Sequence, residues 1–259
     1  MEHRIAHADS KNVTPRDSNS FSVSQLSKEM IDKHYNKPIT GHVIISDAKT
    51  GEVLETPNLV LLGGREFVAQ KIADLAANVL IPNTSSNGET SSINLANYKI
   101  RYFGVGSGGA SVSNALSKIG PYDDDTNLRA PASFGTKDSV NYPYDYLHGG
   151  KLKRIEADGG KIEIVAESHT ITNSVNISAM TTIKYTMYIE RQEISRPFLF
   201  NEASLYAVEY AGDVPASPNS NDSTTSGYAA NYRAFARFTT STKVLDTTDS
   251  LKIEWFILT

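Results

Sequence analysis

The pattern richest in chemical content is Gly104-x-Gly106-x-x-Gly109, which closes a run of strand-forming residues. Glycines at this spacing let a backbone approach a pyrophosphate. The dinucleotide fingerprint adds an acid about 20 residues further on, and Asp123-Asp124-Asp125 falls near there. That fingerprint also needs a helix opening inside the glycines and a βαβ unit around them. Ser113 to Ile119 allows only a short helix, and Asp123 follows the turn-forming Gly120-Pro121-Tyr122. The preferred reading is therefore a flexible turn after a buried strand. The acidic triplet offers hard oxygen ligands but lacks the spaced pattern of a calcium loop. Six histidines, at 3, 7, 34, 42, 148 and 169, form neither H-E-x-x-H nor a tight H-x-H pair. Gly106-Ser107-Gly108 is only a fragment of a nucleophile elbow. No carboxylate pair marks itself out, although the two acids of a glycosidase need not be close in sequence. Lys151-Leu152-Lys153-Arg154 reads as a solvated strand face, too small for a nucleic-acid patch. No catalytic residue, cofactor or metal is expected.

Two other groups suit contact rather than catalysis. Tyr142, Tyr144 and Tyr146 alternate around Pro143. Such a row stacks sugars or bases or anchors a protein partner, and the protein anchor is preferred. Residues 1–36 are mostly polar, yet Phe21, Val23, Leu26 and Met30 are apolar anchors that a purely solvating tail would not need. They are candidate interaction residues of an extended N-terminal arm that orders on a neighbouring subunit.

The elements that would position these groups are mainly strands. Ile39–Ser46 and Val53–Thr56 flank the turn Asp47 to Glu52, with Gly51 suited to positive φ. One helix is predicted from Gly64-Arg65 to about Leu80, with Val68, Ile72, Leu75 and Val79 on its buried face; Pro82 stops it. A polar loop is expected over 82–97, then a strand over Lys99–Val105. A long irregular stretch follows, Ala110 to Gly149, of the kind that usually makes contacts. Lys151–Glu156 and Lys161–Glu167 flank Asp158-Gly159-Gly160 and predict a hairpin. Thr181–Glu190, Ser204–Tyr210, Tyr232–Thr239 and Leu251–Leu258 are further strands, and 212–227 is a loop at a hairpin tip. The predicted fold is mainly β: an antiparallel β-sandwich over 37–259 with one packed amphipathic helix and long loops.

Composition narrows the function classes. The chain has 259 residues, no cysteine and a net charge of −4. Thiol catalysis, disulfides and Cys-ligated metals are excluded together. The charge balance draws the protein to neither nucleic acid nor membrane, no apolar run has the length of a membrane span, and no signal peptide is expected.

Several segments, taken in order, resemble the small structural proteins of tailed-bacteriophage virions, such as tail, baseplate, neck and fibre-attachment proteins. They are Asn58-Leu59-Val60, Gly64-Arg65 with its helix, Ile100-Arg101-Tyr102-Phe103-Gly104-Val105-Gly106-Ser107-Gly108, Glu202-Ala203-Ser204-Leu205-Tyr206, Ala236-Arg237-Phe238-Thr239 and Leu251-Lys252-Ile253-Glu254-Trp255. Ser204 stands where the pattern expects glycine, and 110–149 is longer than the pattern. The resemblance implies a non-enzymatic virion protein, assembled in the host cytoplasm as a homo-oligomer in a symmetric tail, baseplate or neck ring. Its partners would be other virion proteins. A capsid decoration protein or a carbohydrate-binding β-sandwich on the particle surface is the alternative.

Overall fold

The computed structural model describes residues 40–73, 79–82, 90–93, 95–111, 113–135, 142–170, 177–191, 193–216 and 230–258. The chain divides into two units, Met1–Ile39 and Thr40–Thr259, and everything below concerns the second. Phe21, Val23, Leu26 and Met30 lie outside the described residues.

The architecture is mainly β and antiparallel, with one α-helix among the described residues. In chain order the longer elements are β1 (Thr40–Asp47), β2 (Val53–Val60), α1 (Leu62–Ala73), β3 (Val79–Pro82), β4 (Thr90–Ile93) and β5 (Tyr98–Gly106). Then come β6 (Ala110–Ser111), β7 (Asn114–Lys118), β8 (Tyr146–Leu147), β9 (Leu152–Arg154) and β10 (Lys161–Thr170). The remainder are β11 (Ile177–Ile189), β12 (Phe198–Ala211), β13 (Val214–Pro215), β14 (Tyr232–Leu245) and β15 (Leu251–Leu258). One large sheet runs in the order β10-β11-β15-β1-β2-β14-β12-β5-β9-β8, with β13 attached to β12. It curls into a half-barrel, so its facing layers come from one continuous sheet.

Strand alternation builds two cores. The register pairs Val43 with Trp255, Tyr185 with Trp255, and Leu205 with Phe103, placing these residues on the concave face. Phe238 on β14 meets Trp255 on β15 edge to face across that interior, with ring centroids 5.0 Å apart. On the opposite face Tyr102, Tyr206, Val208, Tyr210 and Ala234 are also buried, beneath Leu61, Leu128, Leu147 and Leu152. The β5-β12-β14 part of the sheet is therefore covered on both sides.

Three expectations need correction. The helix is described over Leu62–Ala73; Val79–Pro82, where the helix was expected to finish, is instead a strand, and its partner β4 lies inside the stretch expected to be loop. Its buried face is Gly64, Phe67 and Gln70, while Ile72 is 80% exposed. A Cβ on Gly64 would collide with the Phe235 carbonyl, so close approach of the helix start to β14 decides which face goes in. The hairpin around Asp158-Gly159-Gly160 does not form: the turn exists, with Asp158 at φ 55° and Gly159 at φ 85°. Its flanking strands part, however, β9 pairing with β5 and β8 while β10 pairs with β11. Tertiary pairing here overrides a local turn signal. Within 212–227, β13 pairs with β12, and 217–229 lie outside the described residues.

Candidate functional site

The glycine string is a stripe of missing side chains on one strand face. Glu202 pairs with Gly106, Ser204 with Gly104, and Ser204 with Arg237, so all five share the face opposite the concave core. A Cβ on Gly106 would lie 2.5 Å from both the Ala130 carbonyl and Glu202 Oε1; one on Gly108 would lie 2.5 Å from Arg129 Cβ. The chain itself occupies that space. Ser107 N–H donates to the Ala130 carbonyl at 3.0 Å, and Ala132 N–H donates to the Val105 carbonyl at 2.8 Å. The groove a pyrophosphate would need is thus filled by residues 128–132, and the flexible turn expected here is a tightly paired one.

Beneath that loop lies a buried ionic centre. Glu202 and Arg237 are both 0% exposed, and residues of these types are almost never fully buried unless paired. Glu202 Oε1 accepts the N–H groups of Gly108 at 2.9 Å and Ala130 at 2.8 Å. Its Oε2 accepts the Arg129 N–H at 3.3 Å and the Arg237 guanidinium. Arg237 also donates to Asp125, whose carboxylate takes the Tyr122 N–H at 2.8 Å. Arg129 donates to the Gly120 carbonyl at 3.0 Å and lies 4.8 Å from the centre of the Tyr122 ring. Nearby, Asn201 Oδ1 accepts the Gly109 N–H at 2.6 Å. A carboxylate whose four donors are backbone N–H groups and a guanidinium is a fastener: it fixes loop 120–132 on the sheet, and none of those donors has a proton to give up.

A second ionic centre sits on the concave face. Lys153 pairs with Phe103 and Tyr146 in the sheet and is fully buried, which corrects the reading of 151–154 as a solvated face. Its Nζ lies 2.7 Å from Glu193 Oε1, 2.8 Å from Asp158 Oδ2 and 2.9 Å from the Tyr188 carbonyl, to which it donates. The Tyr146 hydroxyl donates to Glu193 at 2.6 Å, and the Glu190 N–H does so at 2.9 Å. Burial, then the bond to Glu193, push the Tyr146 phenol well above its usual range. Since Lys153 belongs to β9 and Tyr188 to β11, this cluster joins opposite ends of the strand order. Phe134 packs between Phe103 and Tyr146 at 5.5 and 6.3 Å.

The tyrosine row does not form a platform. Tyr142 is 53% exposed, Tyr144 is half-buried and its carbonyl accepts the Tyr102 hydroxyl at 2.7 Å, and Tyr146 is 6% exposed. The acidic triplet is divided as well: Asp123 pairs with Arg65 at 3.3 Å, Asp124 is exposed, and Asp125 belongs to the Arg237 centre. Among the described residues no group of three or more His, Cys, Asp or Glu is arranged to hold a metal, and no helix is long and apolar enough to cross a membrane. β2 and β14 pair over only two residues. Beyond them a cleft of about 300 Å³ opens, with Ile45, Leu54 and Phe200 on its walls and Lys243 between Asp47 and Glu52.

No protein-family model, curated protein or solved structure matches this chain.

Glu202, Arg237, Lys153 and Glu193 were not legible as a site. A usable signal existed for the first two: each is the one charge within a short run of otherwise uncharged, largely apolar or small residues, Phe198-Leu-Phe-Asn-Glu-Ala-Ser-Leu-Tyr and Ala234-Phe-Ala-Arg-Phe. A charge in such a run implies a buried partner.

Proposed function

We propose that this chain is a non-enzymatic structural protein of a tailed-phage virion, working in multiple copies as part of a tail, baseplate or neck ring. One observation carries the reading. The segments that bear the resemblance, Gly104 to Gly108, Glu202 to Tyr206 and Ala236 to Thr239, meet at one buried carboxylate–guanidinium pair whose donors and acceptors hold a loop in place. This is scaffold chemistry, in which fixed loops are the product of the fold. The exposed aliphatic pair Leu199 and Val244, partners in adjacent strands, is the sort of surface that assembly covers.

The test is mass spectrometry of purified particles. Peptides of this chain at a constant ratio to the major capsid protein support the proposal, and a low ratio indicates a ring rather than a capsid decoration. Their absence from particles, with the protein found only in the lysate, rejects it.

A further inference from the structure

We propose that Lys153 and Asp158 condense into an intramolecular isopeptide bond, with Glu193 as the proton carrier. This inference is independent of any virion role. The two groups are already in contact as an ion pair, Nζ lying 2.8 Å from Asp158 Oδ2, which holds the nitrogen beside the carboxyl group it must attack. The ammonium is fully buried on the concave face, beside the Phe134 ring at 5.8 Å. One buried cation there faces two carboxylates, a costly arrangement in a low-dielectric site, and an amide removes one charge of each sign. Glu193 is held in place by Tyr146 and the Glu190 N–H while touching Nζ through both oxygens. Asp158 adopts a left-handed conformation, φ 55° and ψ 33°, which Asp tolerates in a turn and which here leads into Gly159 at φ 85°.

The step balances without an oxidant or metal. The Lys153 ammonium passes one proton to the Asp158 carboxylate, giving amine and acid. The nitrogen lone pair then attacks Asp158 Cγ, forming the C–N bond. Glu193 takes a second proton from nitrogen and delivers it to the departing hydroxyl. The Cγ–O bond breaks, water leaves, and one N–H remains on the amide.

The experiment is intact-mass spectrometry of the full chain under denaturing conditions. The expected result is a mass lower by one water, complete or increasing on incubation. Asp158-Gly159 can also lose water by forming a succinimide, so the sample is then treated with hydroxylamine at mildly alkaline pH. An isopeptide survives that treatment, whereas a succinimide opens. Lys153→Arg, which keeps the positive charge, and Asp158→Ala should each show the full sequence mass. The proposal is overturned by a wild-type chain of full mass, by a water loss that hydroxylamine reverses, or by a loss that persists in Lys153→Arg. Glu193→Gln should form the bond many-fold more slowly or not at all; wild-type formation in that variant removes Glu193 from the mechanism.

Discussion

The two buried ionic centres lie on opposite faces of the same sheet and are built from different donors. Around Glu202 three of the four donors are backbone N–H groups, from Gly108, Arg129 and Ala130. Around Lys153 the partners are mostly side chains, Glu193, Asp158 and, behind Glu193, Tyr146. The difference matters when a partner is lost. A buried carboxylate deprived of its cation can take up a proton and become neutral. A backbone N–H has no such escape, and leaving it unsatisfied carries the full desolvation cost. The first centre therefore locks a conformation, while the second can tolerate chemical change.

This contrast can be broken in graded ways. Glu202→Ala leaves three N–H groups unsatisfied and Arg237 with Asp125 as its remaining carboxylate, and should destabilise the fold by about 3–5 kcal/mol, the cost of breaking a buried ion pair. Urea unfolding measures it, and a loss below that of Lys153→Met would invert the comparison. Gly106→Ala forces a methyl against the Ala130 carbonyl and should cost about 1–3 kcal/mol as an overpacking change, with faster proteolysis within 120–132. Tyr146→Phe removes one donor from Glu193 and should cost about 1 kcal/mol.

A pH effect should be smaller still. Burial holds the His148 imidazole below its ordinary 6.5, although the Ala230 carbonyl, 2.6 Å from Nε2, opposes this in part. The unfolded chain then binds a proton that the folded chain refuses. Stability from this group is complete above pH 6.5 and falls as pH drops below it. A His148→Gln variant should flatten that part of the melting profile, and an unchanged slope would assign it to other groups. At the surface, Lys243→Ala breaks contacts to Asp47 and Glu52 at the mouth of the cleft and should cost at most about 1 kcal/mol, a deficit that added salt reduces.

Much of the sheet was readable because alternation is local. Tyr185, Met187 and Ile189 on β11, and Leu251, Ile253, Trp255 and Ile257 on β15, are buried as their period of two requires. The helix face was misread because its buried side includes Gly64 and Gln70, which carry no hydrophobic signal. The hairpin at Asp158 was misread because a turn specifies a reversal, not which strands pair afterwards. The site residues were hidden for a related reason: Glu202 and Asp125, or Lys153 and Glu193, are brought together only by the fold.

The sequence by itself determined the mainly β, antiparallel character, the one α-helix among the described residues and the run of glycines, since these depend on residue type and near-neighbour spacing. Only the tertiary structure decided what the glycines face, which charges lie inside and where the two ends of the sheet meet. Those outcomes depend on contacts between distant segments, where desolvation makes each buried charge find its partner.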